Sequence, residues 1–364
     1  MSKKEKTPGR GKWALIYTGA FILSFAASAI FKMTYDPTHG KYKADWSDSV
    51  GTVYTDISYG KGEANKFDLY VPADNSKESY GLVVYLHAGG FATGDKADDK
   101  EMLQWLCSLG YVSAGINYTL FNDDHPDASV YSQSMEIKEA MPYVVDEAKK
   151  LGYNVDRMAV SGGSAGGCLA LIYGLRDADT SPVPVKMIFE AVGPAAFYHE
   201  DWTNYGLDQN SKAAAGLFTT MAGTEITVDM IENHSYTEQV RPISADMWVN
   251  ENSVPIVCAY GEQDKICPFA SSTRLVNQLE KYNIPHDYYI LPHSGHGLQN
   301  DSKLSAQYMD KVTEYLDKYM GDKNICKKQW KNEAVEKDIA DTDCNSVCDC
   351  SGHRDTVSLC RQQA

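Results

Sequence analysis

Val160-Ser161-Gly162-Gly163-Ser164-Ala165-Gly166-Gly167-Cys168 is the stretch that decides how this chain folds. It follows the short apolar run Met158-Ala159-Val160 and leads into a second one, Cys168 to Tyr173. A buried strand that turns sharply into a helix through small residues belongs to an open α/β sheet, with a side chain lifted at the corner. Ser164 has glycine two residues away on both sides. Ser161 is its rival, but residue 159 is Ala, so the flanking glycine that the turn needs is missing there.

Working outward, strands and helices alternate. Thr52 to Tyr59 and Lys66 to Val71 read as an antiparallel pair, and Leu82-Val83-Val84-Tyr85-Leu86 as a strand buried on both faces. Tyr111 to Tyr118, Val185 to Phe189, Pro255 to Tyr260 and Asp287 to Leu291 repeat that character. Val130 to Leu151 has a helical pattern in which Pro142 should introduce a kink. Leu304, Tyr308, Val312, Leu316 and Met320 recur every four residues in a last helix, ended by Gly321 as a C′ residue. Such alternation predicts a mostly parallel central sheet with helices on both faces.

About 60 residues between Phe189 and Pro255 exceed an ordinary connection of ~2–6 residues. They carry Phe197, Tyr198, Trp202, Tyr205, Phe218, Tyr236 and Trp248, and are read as a cap insertion, about 197–250, that controls substrate choice. With 364 residues, the chain divides into an N-terminal segment 1–31, a polar linker 32–50, an α/β domain 51–321 that carries the insertion, and a cysteine-rich tail 322–364.

The corner serine has the company that nucleophilic chemistry requires. A serine hydroxyl attacks a carbonyl only with a base in hydrogen-bond reach, and the base needs a third group to orient it. Ser294-Gly295-His296-Gly297 follows the last strand and supplies the base. His293 competes with His296 but follows Pro292. Asp264, in Gly261-Glu262-Gln263-Asp264 after the preceding strand, supplies the acid, with Glu262 the weaker candidate. The order Ser164, Asp264, His296 is that of α/β-hydrolases. His87-Ala88-Gly89-Gly90 follows the strand Leu82–Leu86, and its glycines let the backbone approach an oxyanion. The oxyanion donors are therefore assigned to the amides of Gly89, Gly90 and Ala165, with His87 as a brace. This chemistry uses no cofactor and no metal.

Composition narrows the partners. With 49 acidic and 34 basic residues the formal net charge is −15, which argues against nucleic acid. Lys3, Lys4, Lys6, Arg10 and Lys12 precede an uncharged run from Trp13 to Phe31, read as a signal-anchor or, with Ala27-Ser28-Ala29 as cleavage site, a signal peptide. Either outcome places the domain outside the cytoplasmic membrane. Cys107, Cys168, Cys258 and Cys267 are expected to be buried free thiols. Cys326, Cys344, Cys348, Cys350 and Cys360 crowd the tail, where export favours disulfides over zinc.

By these motifs, residues 52–320 resemble the α/β-hydrolase carboxylesterases of the hormone-sensitive-lipase-like kind, especially the bifunctional acetylxylan/feruloyl esterase-like branch. The resemblance rests on Asp68-Leu69-Tyr70-Val71-Pro72, Gly110-Tyr111, Asn117-Tyr118 and Ser164-Ala165-Gly166-Gly167. Ala88, Thr119 and Gly163 depart from the family pattern. The resemblance implies a serine esterase acting through an acyl-enzyme on a small-molecule or carbohydrate ester. A prolyl-oligopeptidase-like peptidase and a non-catalytic binding protein are the alternatives. No strand-rich propeller precedes the domain, and the Ser, Asp and His are all present.

Overall fold

A computed structural model describes residues 40–321. The segment Trp13 to Phe31 and the tail 322–364, with the readings of export and disulfides that depend on them, lie outside the described residues. Eight strands form one sheet: β1 (Gly51–Ser58), β2 (Lys66–Pro72), β3 (Tyr80–Leu86), β4 (Val112–Ile116), β5 (Val155–Gly163), β6 (Val185–Ala191), β7 (Ile256–Gly261) and β8 (His286–Leu291). Their order is β1-β2-β4-β3-β5-β6-β7-β8. β1 pairs antiparallel with β2, and β2 antiparallel with β4; the other pairs are parallel. This is the α/β-hydrolase sheet the sequence predicts. From β3 the chain steps one way to β4, then returns past β3 to β5. That reversal leaves a crevice at the carboxyl ends of β3 and β5, where ligands of open α/β sheets bind.

Among the described residues, eight α-helices lie between or after the strands: α1 (Lys100–Ser108), α2 (Val130–Lys150), α3 (Ala165–Ile172), α4 (Ser211–Ala222), α5 (Val228–Glu232), α6 (Thr237–Val240), α7 (Phe269–Lys281) and α8 (Ser302–Tyr315). Side chains alternate across each strand, so both faces of the sheet must be covered. Val83, Ala159, Met187 and Val257 pack beneath α1 and α8. Leu82, Val84, Met158, Val160 and Ile188 pack beneath α2, α3 and α7. Ser129 caps α2 by accepting the Ser132 amide at 3.1 Å.

Helix α2 continues through Pro142, which lies on the exposed face, where water can serve the carbonyl it leaves unpaired. One local expectation is corrected. Gly321 ends the last helix in extended backbone (φ −62°, ψ 157°), not in the left-handed C′ form. The chain widens there into a π-turn, Leu316–Met320. Four-residue spacing outruns the 3.6 residues of an α-turn, and a wider turn keeps both Leu316 and Met320 buried.

The segment between β6 and β7 folds as α4 to α6 with several single-turn helices. Phe197, Trp202, Phe218 and Tyr236 are buried, with ring centroids 5.4–6.1 Å apart, and continue the core under α2 and α3. Cys107, Cys168, Cys258 and Cys267 are buried free thiols, as expected.

One carboxyl is buried in the sheet itself. Glu190 on β6 lies opposite Gly162 and accepts the Gly193 amide at 2.9 Å through Oε2, while Oε1 has no partner. Burial pushes its pKa from 4.5 up to about 8. Below 4.5 folded and unfolded chains are both protonated. Between 4.5 and about 8 only the folded chain keeps the proton, so this group's contribution to stability falls as pH rises through that window. Glu190→Gln is expected to match wild type near pH 5 and to gain on it by pH 9, on the order of 5 °C in melting temperature. Thermal unfolding of both proteins across that range measures the difference.

Candidate active site

Helix α3 packs end-on against β3, and this sets the corner. A Cβ on Gly166 would overlap the Leu86 carbonyl, and one on Gly162 would lie 2.6 Å from the Gly166 oxygen. Only glycine allows that approach. The turn forces Ser164 to φ 53° and ψ −118°, a costly conformation for a residue with a side chain. The strain is held by the Ser164 amide, which donates to the Ala191 carbonyl at 2.8 Å, and by the Cys168 amide, which bonds the Ser164 carbonyl at 3.0 Å.

The three residues expected to act together do meet. His296 Nε2 lies 2.8 Å from Ser164 Oγ, and His296 Nδ1 lies 2.7 Å from Asp264 Oδ2. The other Asp264 oxygen accepts the amides of Ile266 at 2.8 Å and Cys267 at 3.0 Å. The buried carboxylate is thereby fixed on both sides, and it fixes the imidazole plane. The loops beyond β7 and β8 are locked together: the Gln263 amide donates to the Ser294 carbonyl at 3.0 Å, and the Glu262 amide to Leu291 at 3.0 Å. The rivals are elsewhere. Ser161 is fully buried in β5, and the exposed His293 ring bonds Asp301 at 2.8 Å. Glu262 is exposed.

The loop after β3 bends toward the serine. Gly89 has φ +129°, and a Cβ there would overlap the Thr93 carbonyl; Gly90 follows at φ +60°. Ala165 opens α3, so its amide stands outside the helical hydrogen-bond ladder and can serve a ligand. His87 is buried, stacks on Tyr118 with centroids 4.3 Å apart, and receives the Tyr118 hydroxyl on its carbonyl at 2.9 Å. Burial pushes its pKa down, which suits a brace and not a charged group. The motif residues around it act as struts. Asn117 accepts the Lys96 amide at 2.6 Å and donates to Asp95 at 2.7 Å, and buried Lys96 reaches Asp68 at 3.1 Å.

Ser164 and His296 open onto a cavity of about 440 Å³, whose other walls are Ala88, Gly89, Gly90, Gly163, Val192 and Ile266. Sequence reasoning missed Val192 and Ile266. Val192 is a β-branched residue at φ 52°, set by tertiary contacts that no local pattern reports. Ile266 is 56% exposed, and an apolar residue two positions after the candidate acid was a usable signal. Asn204 and Tyr205 were also missed in this role: they donate to the Asp264 and Ile266 carbonyls at 3.0 and 2.9 Å, tying the insertion to the acid loop. None of the seven aromatics of the insertion lines the cavity.

Comparison with known proteins places the family and the fold. A probable carboxylic ester hydrolase of Mycobacterium tuberculosis, LipM, is 26% identical over 248 residues, which are 66% of this chain and 55% of that protein. The chain thus spans little more than half the length of that relative. Two solved structures share the fold: a truncated carbohydrate esterase from gut microbiota (TM-score 0.60, 17% identity, 77% of this chain and 100% of that one) and the esterase Est2 of Thermogutta terrifontis (TM-score 0.58, 18% identity, 75% and 95%). The BD-FAE family model matches residues 67–279, more than half of the chain, from β2 through the acid loop into α7, and the chain belongs to that family.

Proposed function

We propose that this protein is an exported serine carboxylesterase that cleaves short or carbohydrate-linked acyl esters through an acyl-enzyme. The observation that carries the reading is the continuous relay from Asp264 through His296 to Ser164 at the mouth of the cavity. Ser164 Oγ attacks the ester carbonyl while His296 Nε2 takes its proton, and Asp264 steadies the imidazolium. The oxygen that becomes negative meets the amides of Ala165, Gly89 and Gly90. Collapse of the tetrahedral species breaks the acyl–oxygen bond, and His296 returns the proton to the departing alcohol. Water then attacks the acyl carbon and gives a proton to His296; collapse breaks the bond to Ser164 Oγ, which takes that proton back as the acid leaves.

Membership in the BD-FAE family and the carbohydrate esterase among the fold neighbours support sugar-borne acyl groups as the substrate class. The cavity supports a small acyl group, since apolar Val192 and Ile266 wall it and no charged anchor lines it apart from the histidine. In this reading the insertion, about 197–250, influences substrate choice through its hold on Asp264 and Ile266. Export rests on the basic-then-apolar N-terminus, with the segment Trp13 to Phe31 as the membrane contact or the cleaved leader.

Ser164→Ala, His296→Ala and Asp264→Asn are each expected to fold normally and to lose ~10⁴–10⁶ in kcat on p-nitrophenyl acetate, with double variants losing little more. Turnover near wild type in Ser164→Ala, or a phosphonate probe on another serine, would overturn the assignment. Across p-nitrophenyl esters from acetate to palmitate, Ile266→Ala is expected to raise the butyrate-to-acetate ratio of kcat/KM by about tenfold and Gly163→Val to lower it. Acetylated xylan and methyl ferulate in the same panel decide the alcohol side. Thiol counting on denatured, unreduced protein from its native host is expected to find fewer than nine free thiols, and nine would remove the support for an oxidising compartment.

A further inference from the structure

The insertion holds a second polar cluster that the ester chemistry does not use. The single-turn helix His199–Asp201 brings His199 and Glu200 beside His234, which follows α5. Among the described residues these form the one group of three His, Cys, Asp or Glu whose donor atoms all lie within 4.8 Å of one another. We propose that the cluster is a divalent transition-metal site, two imidazoles and one carboxylate, that staples the start of the insertion to the turn after α5.

The spacing fits an ion. His199 Nδ1 and Glu200 Oε2 are 3.1 Å apart. Two ligands at ~2.0–2.1 Å from one tetrahedral Zn²⁺ are separated by about 3.3 Å, so this pair already has the bite of a shared metal. The fully buried Tyr236 fixes the backbone of the first ligand, since its hydroxyl accepts the His199 amide at 3.0 Å. The same hydroxyl lies 3.1 Å from His199 Nδ1, a contact that nitrogen gives up when it binds an ion. The His234 ring, exposed on its turn, faces His199 with centroids 5.5 Å apart and a 36° tilt, near enough for a small side-chain rotation to complete the set.

The neighbouring cation does not fill the place. Arg274 is engaged twice by Asp201 and lies 3.9 Å over the Tyr198 ring, while its 3.3 Å contact with Glu200 uses Oε1. Oε2 remains directed at His199. Imidazole with a single carboxylate selects Zn²⁺, Co²⁺ or Ni²⁺ over Mg²⁺ and Ca²⁺, which require oxygen-rich shells. None of the three ligands lines the Ser164 cavity, so the ion has a structural part. It would tie His199 to a residue 35 positions later, and from His199 the chain runs directly to Asn204 and Tyr205, which hold the acid loop.

The test uses the full chain, with accessible thiols alkylated so that tail cysteines cannot compete, and Zn²⁺ alone as the probe. Calorimetric titration is expected to show one equivalent bound, and thermal unfolding a rise of about 2–5 °C in saturating Zn²⁺. His234→Ala and Glu200→Gln, both at exposed side chains, are each expected to weaken binding by at least about tenfold and to abolish the rise, with the metal-free melting temperature unchanged. Absence of saturable binding, or binding unaltered in His234→Ala, would overturn the proposal.

Discussion

The close approach of Gly166 to the Leu86 carbonyl is the contact on which the site is built. It lets α3 begin where β5 ends, with no loop between them, and it brings the end of β3 against the same helix. The nucleophile corner and the glycine loop that follows Leu86 are therefore fixed by one backbone contact. Strain accumulates beside it. Ser164 and Val192 both have positive φ, each at a cost on the order of 1–3 kcal/mol. Both are held by strand neighbours: Ser164 by the Ala191 carbonyl at 2.8 Å, and Val192 by the Ala259 carbonyl at 2.9 Å. The parallel sheet thus supplies the rigidity that keeps a strained serine in place.

The other half of the site depends on loops, and loops need more fastening. Asp264 is gripped by two amides and one imidazole, and its own carbonyl is gripped by Asn204. Gly261 lies so close to Ser294 and Gly295 that any side chain would part the acid loop from the base loop. The buried aromatics of the insertion give its turns a firm seat on the core, and Asn204 and Tyr205 carry that firmness to the acid. An insertion with so much buried surface is part of the scaffold.

Sequence reasoning reached the parts of this design that local pattern encodes. The strands at the middle of the sheet were legible because a strand covered on both faces must be apolar without interruption, as Leu82–Leu86 is, and the antiparallel pair β1 and β2 from alternation. The corner serine was legible from its flanking glycines, and the acid and base from chain order, since each follows a strand. What escaped depends on contacts between distant residues. Nothing near Asn204 in the chain announces Asp264, 60 positions on, and Val192 has no local mark of its left-handed backbone. The aromatics of the insertion were visible as a group. Whether such rings face a ligand or one another is decided by packing, and here Phe197, Trp202, Phe218 and Tyr236 face one another.

The electrostatics of the cavity complete the argument. In a chain of net charge −15, no lysine or arginine lines the pocket at Ser164. A negative oxygen formed there can be met only by backbone amides, the amino end of α3 and the imidazolium that forms with it. The rest of the pocket, walled by Ala88, Val192 and Ile266, offers an ionised acid neither a cation nor water-like solvation, and burying such a charge is costly. In the proposed reaction, a pocket of this kind therefore offers the carboxylate product no stabilisation away from the serine, and it accepts a neutral ester more readily than an anion.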